Sequence, residues 1–255
     1  MLIDSHAHLN FAELLSDIDG VLERARLAGV EKIICVGTNL EDSRIAIELA
    51  RKYENVFATV GIHPDSPSPS ASDWSKFEKM ALQPKVVAIG ECGLDYSRIK
   101  NYELSIMVAE KERQKTLFEK QIEIAGKLNL PLVIHCREAQ EELKKILAKG
   151  GMTHGGVLHC FAGGMEIPEN FYISFAGNVT FKNAKNLQEL ARLIPLEKLL
   201  VETDCPFLAP EPFRGSQNEP ANVKITATVL AELHQITLEK LSEITTANAI
   251  KLFDF

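Results

Sequence analysis

Eight short apolar runs, spaced by about 25 to 40 residues, constrain this chain more than any other feature of it. They lie at 2–4, 32–36, 56–60, 86–89, 132–134, 157–158, 172–175 and 199–201. Runs this short that end in polar residues read as strands buried on both faces, as parallel strands are. Helical patterns lie between them at 17–28, 40–53, 73–82, 110–128, 137–149, 165–170 and 184–193. Leu14, Ile18, Val21, Leu22 and Ala25 show the 3.6-residue period of a half-buried helix. Strand–helix alternation predicts an α/β fold with a parallel sheet, and eight units predict closure into a single (β/α)8 barrel, the TIM barrel. Two extra C-terminal helices, at 222–234 and 238–252, are expected to pack outside it. No linker or low-complexity block divides the 255 residues, so 1–255 reads as one domain.

Polar residues follow the apolar runs in a pattern that suits metal chemistry. The first run opens into Asp4-Ser5-His6-Ala7-His8, the fourth delivers Glu91, the fifth His135 and the sixth His159. The eighth leads through Glu202-Thr203 to Asp204. Functional groups at the C-terminal ends of several strands are the pattern of a barrel active site. His6 and His8, two residues apart, can turn to one side and reach one ion. Glu91 has two oxygens and can bridge two ions. His135 and His159 are then ligands of the second ion. Asp204 can join His6 and His8 and can also accept a proton from a water; Glu202 competes for that role. Four histidines and two carboxylates can hold two divalent cations, which suits hydrolysis of a phosphoester. Magnesium, manganese and zinc all remain open as the native ion.

His63, in Gly61-Ile62-His63-Pro64, is expected to contact a phosphate oxygen or help protonate a leaving group. Arg137, Lys182 and Arg214 are expected to form a phosphate-binding rim on the loops after strands five, seven and eight, with Asn218 a further substrate-binding residue. Segments 64–75 and 96–109 read as long loops bordering the substrate. Cys92, Cys136, Cys160 and Cys205 each directly follow a proposed ligand. Strand alternation turns such neighbours away from the ions, so they read as small thiols packed behind the site.

Net charge is −7, which argues against a broad basic nucleic-acid surface. It leaves a nuclease possible, because two divalent ions would add about four positive charges at the site itself. Mean hydropathy is −0.03, and no apolar stretch approaches the roughly 20 residues of a membrane span. The first residues lack a basic segment followed by an apolar one, and Met1 stands directly before a ligand-bearing strand, so no cleavable leader is expected. Five scattered cysteines without a CxxC pair suit a reducing, cytoplasmic location.

These residues resemble the TatD family of metal-dependent hydrolases, within the amidohydrolase-like barrels. The resemblance runs through LIDSHAHLN at 2–10, GIHP at 61–64, GECGLDY at 90–96, IHCRE at 134–138 and LHCFAG at 158–163. It continues through SFAGNVTFKNA at 174–184, LLVETDCPFLAP at 199–210 and RGSQNEP at 214–220. It implies a metal-dependent deoxyribonuclease acting from the 3′ end, with single-stranded DNA as partner and no membrane. It further implies that His6, His8, Glu91 and Asp204 bind one ion, that Glu91, His135 and His159 bind the other, and that His63 sits near the scissile phosphate. A monomer is the working expectation. Hydrolysis of an amide, lactone or aminoacyl ester by the same two-ion site is the alternative. A non-enzymatic binder is disfavoured by the intact ligand set.

Overall fold

Eight parallel strands follow one another around the molecule in chain order. They are β1 (Leu2–Ala7), β2 (Val30–Cys35), β3 (Val56–Val60), β4 (Val86–Asp95), β5 (Leu132–Arg137), β6 (Gly156–Leu158), β7 (Phe171–Phe175) and β8 (Leu199–Val201). The structure is a computed structural model and describes residues 1–150 and 154–255. β8 is only three residues long, and closure onto β1 is completed by the chain beyond it. Ala7 bridges Cys205, His8 N–H donates to the Cys205 carbonyl at 2.8 Å, and Asp204 N–H donates to the His6 carbonyl at 2.9 Å. The closing seam thus joins the two segments that carry His6, His8 and Asp204.

The helices are α1 (Ala12–Leu15), α2 (Ile18–Leu27), α3 (Leu40–Lys52), α4 (Ala71–Ala81), α5 (Leu104–Leu128), α6 (Gln140–Ala148), α7 (Lys185–Leu193), α8 (Val223–Leu233) and α9 (Leu238–Phe253). Strand alternation separates two cores. In β5, Leu132 and Ile134 join the outer core with Phe77, Phe118 and Leu143 of the helices, while Val133 joins the inner one. The inner layer of Ile3, Ile34, Val87, Val157, Tyr172 and Leu200 is completed by Ala249, Leu252 and Phe253. α8 does pack outside, but α9 closes the N-terminal mouth of the barrel. Burial of a side chain such as Leu252 or Phe253 contributes about 1.5–3 kcal/mol, so the last helix is part of the core.

All eight strands fall where the apolar runs place them; two helical readings need correction. Residues 165–170 form no helix. Pro168 lacks an N–H and disfavours helical geometry at Ile167, and Gly163 and Gly164 before it both sit at φ 85. α5 begins at Leu104, not near 110. Its first turns carry Leu104, Ile106 and Val108 exposed, so no one-sided apolar pattern marks them. Further along, two buried glutamines of α5 grip strand ends. Gln121 exchanges hydrogen bonds with the Ile62 backbone (2.8 and 2.9 Å), and Gln114 does so with Asp95 (2.9 and 3.0 Å). These fix the chain beside His63 and Glu91.

Candidate metal centre

The C-terminal ends of the strands surround a cleft of about 660 Å³, lined among others by His8, His63, Glu91, His135, His159 and Asp204. A cavity of about 790 Å³ at the opposite end of the barrel, around Met1, Glu31 and Asn55, has no histidine or cysteine in its lining. The chemistry therefore belongs to the C-terminal face.

Glu91 stands at the centre. Its Oε2 lies 3.4 Å from His6 Nε2 and 3.7 Å from His8 Nε2. Its Oε1 lies 2.9 Å from His135 Nδ1 and 2.9 Å from His159 Nε2. Each oxygen thus faces a different histidine pair. Glycines make room for this placement. A Cβ on Gly90 would stand 2.6 Å from Val133 Cβ, and one on Gly93 would stand 2.0 Å from the His135 carbonyl oxygen.

Hydrogen bonds set which nitrogen faces inward for His8 and His135. His8 Nδ1–H donates to the Val36 carbonyl at 3.3 Å, leaving the Nε2 lone pair for the centre. His135 Nε2–H donates to Asp95 Oδ2 at 3.1 Å, which leaves Nδ1 inward. His159 turns Nδ1 towards Glu202 Oε1 at 3.5 Å and Nε2 inward. His6 Nδ1 is buried with no hydrogen-bond partner, while its Nε2 faces the centre. Asp204, at φ 55, brings Oδ1 to 3.4 Å from His8 Nε2 and 3.7 Å from His6 Nε2.

Inward nitrogens crowd together in both pairs. His6 Nε2 is 3.3 Å from His8 Nε2, and His135 Nδ1 is 3.2 Å from His159 Nε2. In their neutral forms His8 and His135 present acceptors there, because their other nitrogens face the Val36 carbonyl and Asp95. Each pair can hold a proton or a cation between its two nitrogens, and a Glu91 oxygen stands beside each pair. Imidazole and carboxylate donors in this arrangement fit divalent cations. Burial alone would raise the Glu91 carboxyl. The facing imidazoles, His159 and His63 foremost, outweigh it and hold Glu91 well below the usual range. Burial opposes ionisation of Asp204 too, but His8 and His6 keep it low.

Two neighbours have other duties. Glu202, the competitor of Asp204, is fully buried behind His159 and accepts hydrogen bonds from Cys160 N–H (2.8 Å) and Ser174 Oγ (2.5 Å). It comes within 4.8 Å of His6 and His159 donor atoms, yet both its oxygens are engaged by Cys160 and Ser174. His63 likewise approaches Glu91 and His135, with Nε2 3.6 Å from Glu91 Oε1. The backbone N–H of Asp65 donates to His63 Nδ1 at 3.1 Å, so the ring proton sits on Nε2 and points into the cleft. Burial lowers His63 to about 4, keeping the ring neutral at pH 7.

The expected phosphate rim is only partly assembled. Arg137 is exposed and lines the cleft. Lys182 is exposed but outside the lining. Arg214 lies over the Phe181 ring at 4.1 Å and 3.5 Å from Asn183, also outside it. Asn218 is fully buried, donating to the Thr203 and Phe207 carbonyls and accepting from Glu219 N–H and Asn222. Its hydrogen bonds hold the loop after β8 and leave no group free for substrate. Cys92 and Cys205 are buried, as alternation implies, but Cys136 and Cys160 line the cleft. Cys160 lies beyond β6 at φ 44, where alternation no longer governs.

Several site residues escaped sequence reasoning. Arg98, paired with Asp65 at 3.1 Å, lines the cleft, as do Asp95, Phe11 and Phe207. Asp95 had a usable signal, since it shares strand parity with Glu91 four residues earlier. Arg98, Phe11 and Phe207 lie in loops, where no periodicity reports direction.

A barrel with this histidine–carboxylate centre at the ends of its strands is a metal-dependent hydrolase. The family model described as TatD related DNase matches residues 3–254, and the chain belongs to that family. It is 43% identical over 260 residues to the metal-dependent hydrolase YabD of Bacillus subtilis, covering 99% of each chain. It is 36% identical over 264 residues to the 3′-5′ ssDNA/RNA exonuclease TatD of Shigella flexneri, covering 99% of this chain and 98% of that one. The crystal structure of YjjV, a TatD homolog from Escherichia coli, superposes with a TM-score of 0.88 at 29% identity, covering 100% of this chain and 98% of that one. No described helix is long and apolar enough to cross a membrane.

Proposed function

We propose that this chain hydrolyses phosphodiester bonds of single-stranded DNA from the 3′ end. The observation that carries the reading is the division of Glu91, with one oxygen towards His6 and His8 and the other towards His135 and His159. His6, His8, Asp204 and Glu91 would hold one divalent cation, and Glu91, His135 and His159 a second. Magnesium, manganese and zinc are the candidates. Such ions, when bound, neutralise phosphoryl charge and make hydroxide available near neutral pH.

The chain's own groups do the rest. Asp204, an anion at the cleft wall, orients the attacking water and takes its proton, a role commonly worth about 10²–10⁴ in rate. His63 donates its Nε2 proton as a hydrogen bond to a phosphoryl oxygen. Its neutral ring favours that role, and the departing sugar oxygen takes its proton from solvent. Arg98 and Arg137 bind flanking phosphates. A charged rim favours a phosphodiester over a small amide or lactone, which would call for an apolar, closed pocket. The free, scattered cysteines suit a cytoplasmic enzyme.

The test is hydrolysis of end-labelled single-stranded DNA by metal-stripped protein, with magnesium, manganese or zinc restored, beside Glu91→Ala. Metal-dependent shortening from the 3′ end, absent in the variant, is expected. No cleavage with any of these ions would overturn the nuclease reading and direct attention to amide, lactone and aminoacyl-ester substrates.

A further inference from the structure

The cleft has two unlike walls. Arg137 and Arg98, the latter paired with Asp65 at 3.1 Å, line one of them on the side of β4 and β5. On the side of β1 and β8 the other carries Phe11 and Phe207. Phe207, three residues after Asp204, is 51% exposed. Its ring meets Phe11 nearly edge-on, with centroids 6.0 Å apart and planes at 80°. Phe11 in turn stacks on His8 at 4.7 Å and 17°. The backbone of Phe207 is tied at both ends: its N–H donates to the Asp204 carbonyl at 3.0 Å, and its carbonyl accepts from Asn218 Nδ2 at 2.7 Å. A half-exposed aromatic ring on a braced loop beside the reacting centre offers a flat apolar face at fixed distance from it.

We propose that Phe207, backed by Phe11, stacks the nucleobase next to the scissile phosphodiester, and that Asn218 positions this platform. The proposal rests on the nuclease reading. Every base has a π face, so such a platform holds the strand end without selecting sequence. It also gives the strand a direction: the terminal base lies against the aromatic wall, and the remaining phosphates run towards Arg98 and Arg137.

The test compares a short single-stranded DNA ending in thymidine with the same strand ending in a tetrahydrofuran abasic residue. Wild type, Phe207→Leu and Phe207→Trp are assayed on both, with metal content measured alongside as a check that the site is intact. Wild type should show a KM roughly 5- to 150-fold lower for the thymidine end, the range that one base–aromatic stack supplies. Phe207→Leu should remove that difference by raising KM on the thymidine strand, with a smaller change in kcat. Phe207→Trp, which keeps a π face, should retain it. A KM difference that persists in Phe207→Leu, or is absent in wild type, overturns the platform while leaving the nuclease reading in place. Failure of wild type to cleave either strand with any metal refutes the nuclease reading, and the platform with it.

Discussion

Asp95 Oδ2 stands 3.1 Å from Nε2 of His135, on the opposite side of the ring from Glu91. Its other oxygen accepts from Ser97 N–H (2.9 Å) and Ser97 Oγ (2.6 Å). Burial opposes ionisation of Asp95, but the hydrogen bonds from His135 and Ser97 prevail and hold it well below the ordinary range. An anion here fixes His135 with its Nδ1 lone pair inward. Asp95→Ala should therefore weaken divalent-cation binding about 10- to 100-fold, as loss of a carboxylate behind a ligating histidine commonly does. Calorimetric titration of the stripped protein checks this. Equal affinity in the variant would show that Asp95 does not position His135 for metal.

Glu91→Ala removes the one group that faces both histidine pairs. The expected result is loss of one or both ions by elemental analysis, with activity falling to background. A variant that keeps the wild-type metal stoichiometry would refute the bridge.

Asp204→Asn keeps an oxygen near His6 and His8 but no longer takes a proton. Metal content should stay mostly intact while kcat falls by about 10²–10⁴. Full activity in this variant would remove Asp204 from the chemistry. Large metal loss would make it chiefly a ligand.

Gly90 sits at φ 154, and an added Cβ would lie 2.6 Å from both Cβ and the carbonyl oxygen of Val133. β4 and β5 would have to part at the point that aims Glu91. Gly90→Ala should cost about 1–3 kcal/mol, read as a lower urea midpoint with an unchanged slope. Wild-type stability would mean the strands yield without strain.

Asp73 forms a capping box with Ser70 at the start of α4, just after the loop that carries His63. Hydrogen bonds from Ser70, then Lys76, lower it from 3.8 to about 2. A folded-state pKa below the unfolded one contributes stability above the unfolded value, and that stability is lost as pH falls through the folded value. The window is therefore about pH 4 down to 2. NMR titration of this carboxyl in the native protein should give a value near 2, and one near 3.8 would mean the cap is open.

The sequence was most legible where burial and periodicity coincide. All eight strands could be placed because a parallel barrel strand is apolar on both faces, leaving short runs that end where polar ligands begin. Glu91, His135 and His159 were legible for the same reason, since a strand end gives a side chain a known direction. α9 was legible as a helix but not as the plug of the barrel mouth, because periodicity reports a buried face without saying what covers it. Asn218 and Arg137 show the limit for polar residues. Both read as substrate groups, yet one is consumed by bonds to Thr203, Phe207, Glu219 and Asn222 while the other lines the cleft.

By itself the sequence determined the strand–helix alternation, the barrel and the metal-friendly residues at the strand ends. These follow from local patterns of burial along the chain. Only the tertiary structure decided the division of Glu91 between two histidine pairs, the withdrawal of Glu202 behind His159 and the tautomer of His63. It alone brought Phe207 and Arg98 to one cleft. Those outcomes depend on hydrogen bonds and ring contacts between segments up to some 200 residues apart, such as Thr203 N–H to Asp4 at 2.9 Å across the closing seam, and no local pattern encodes them.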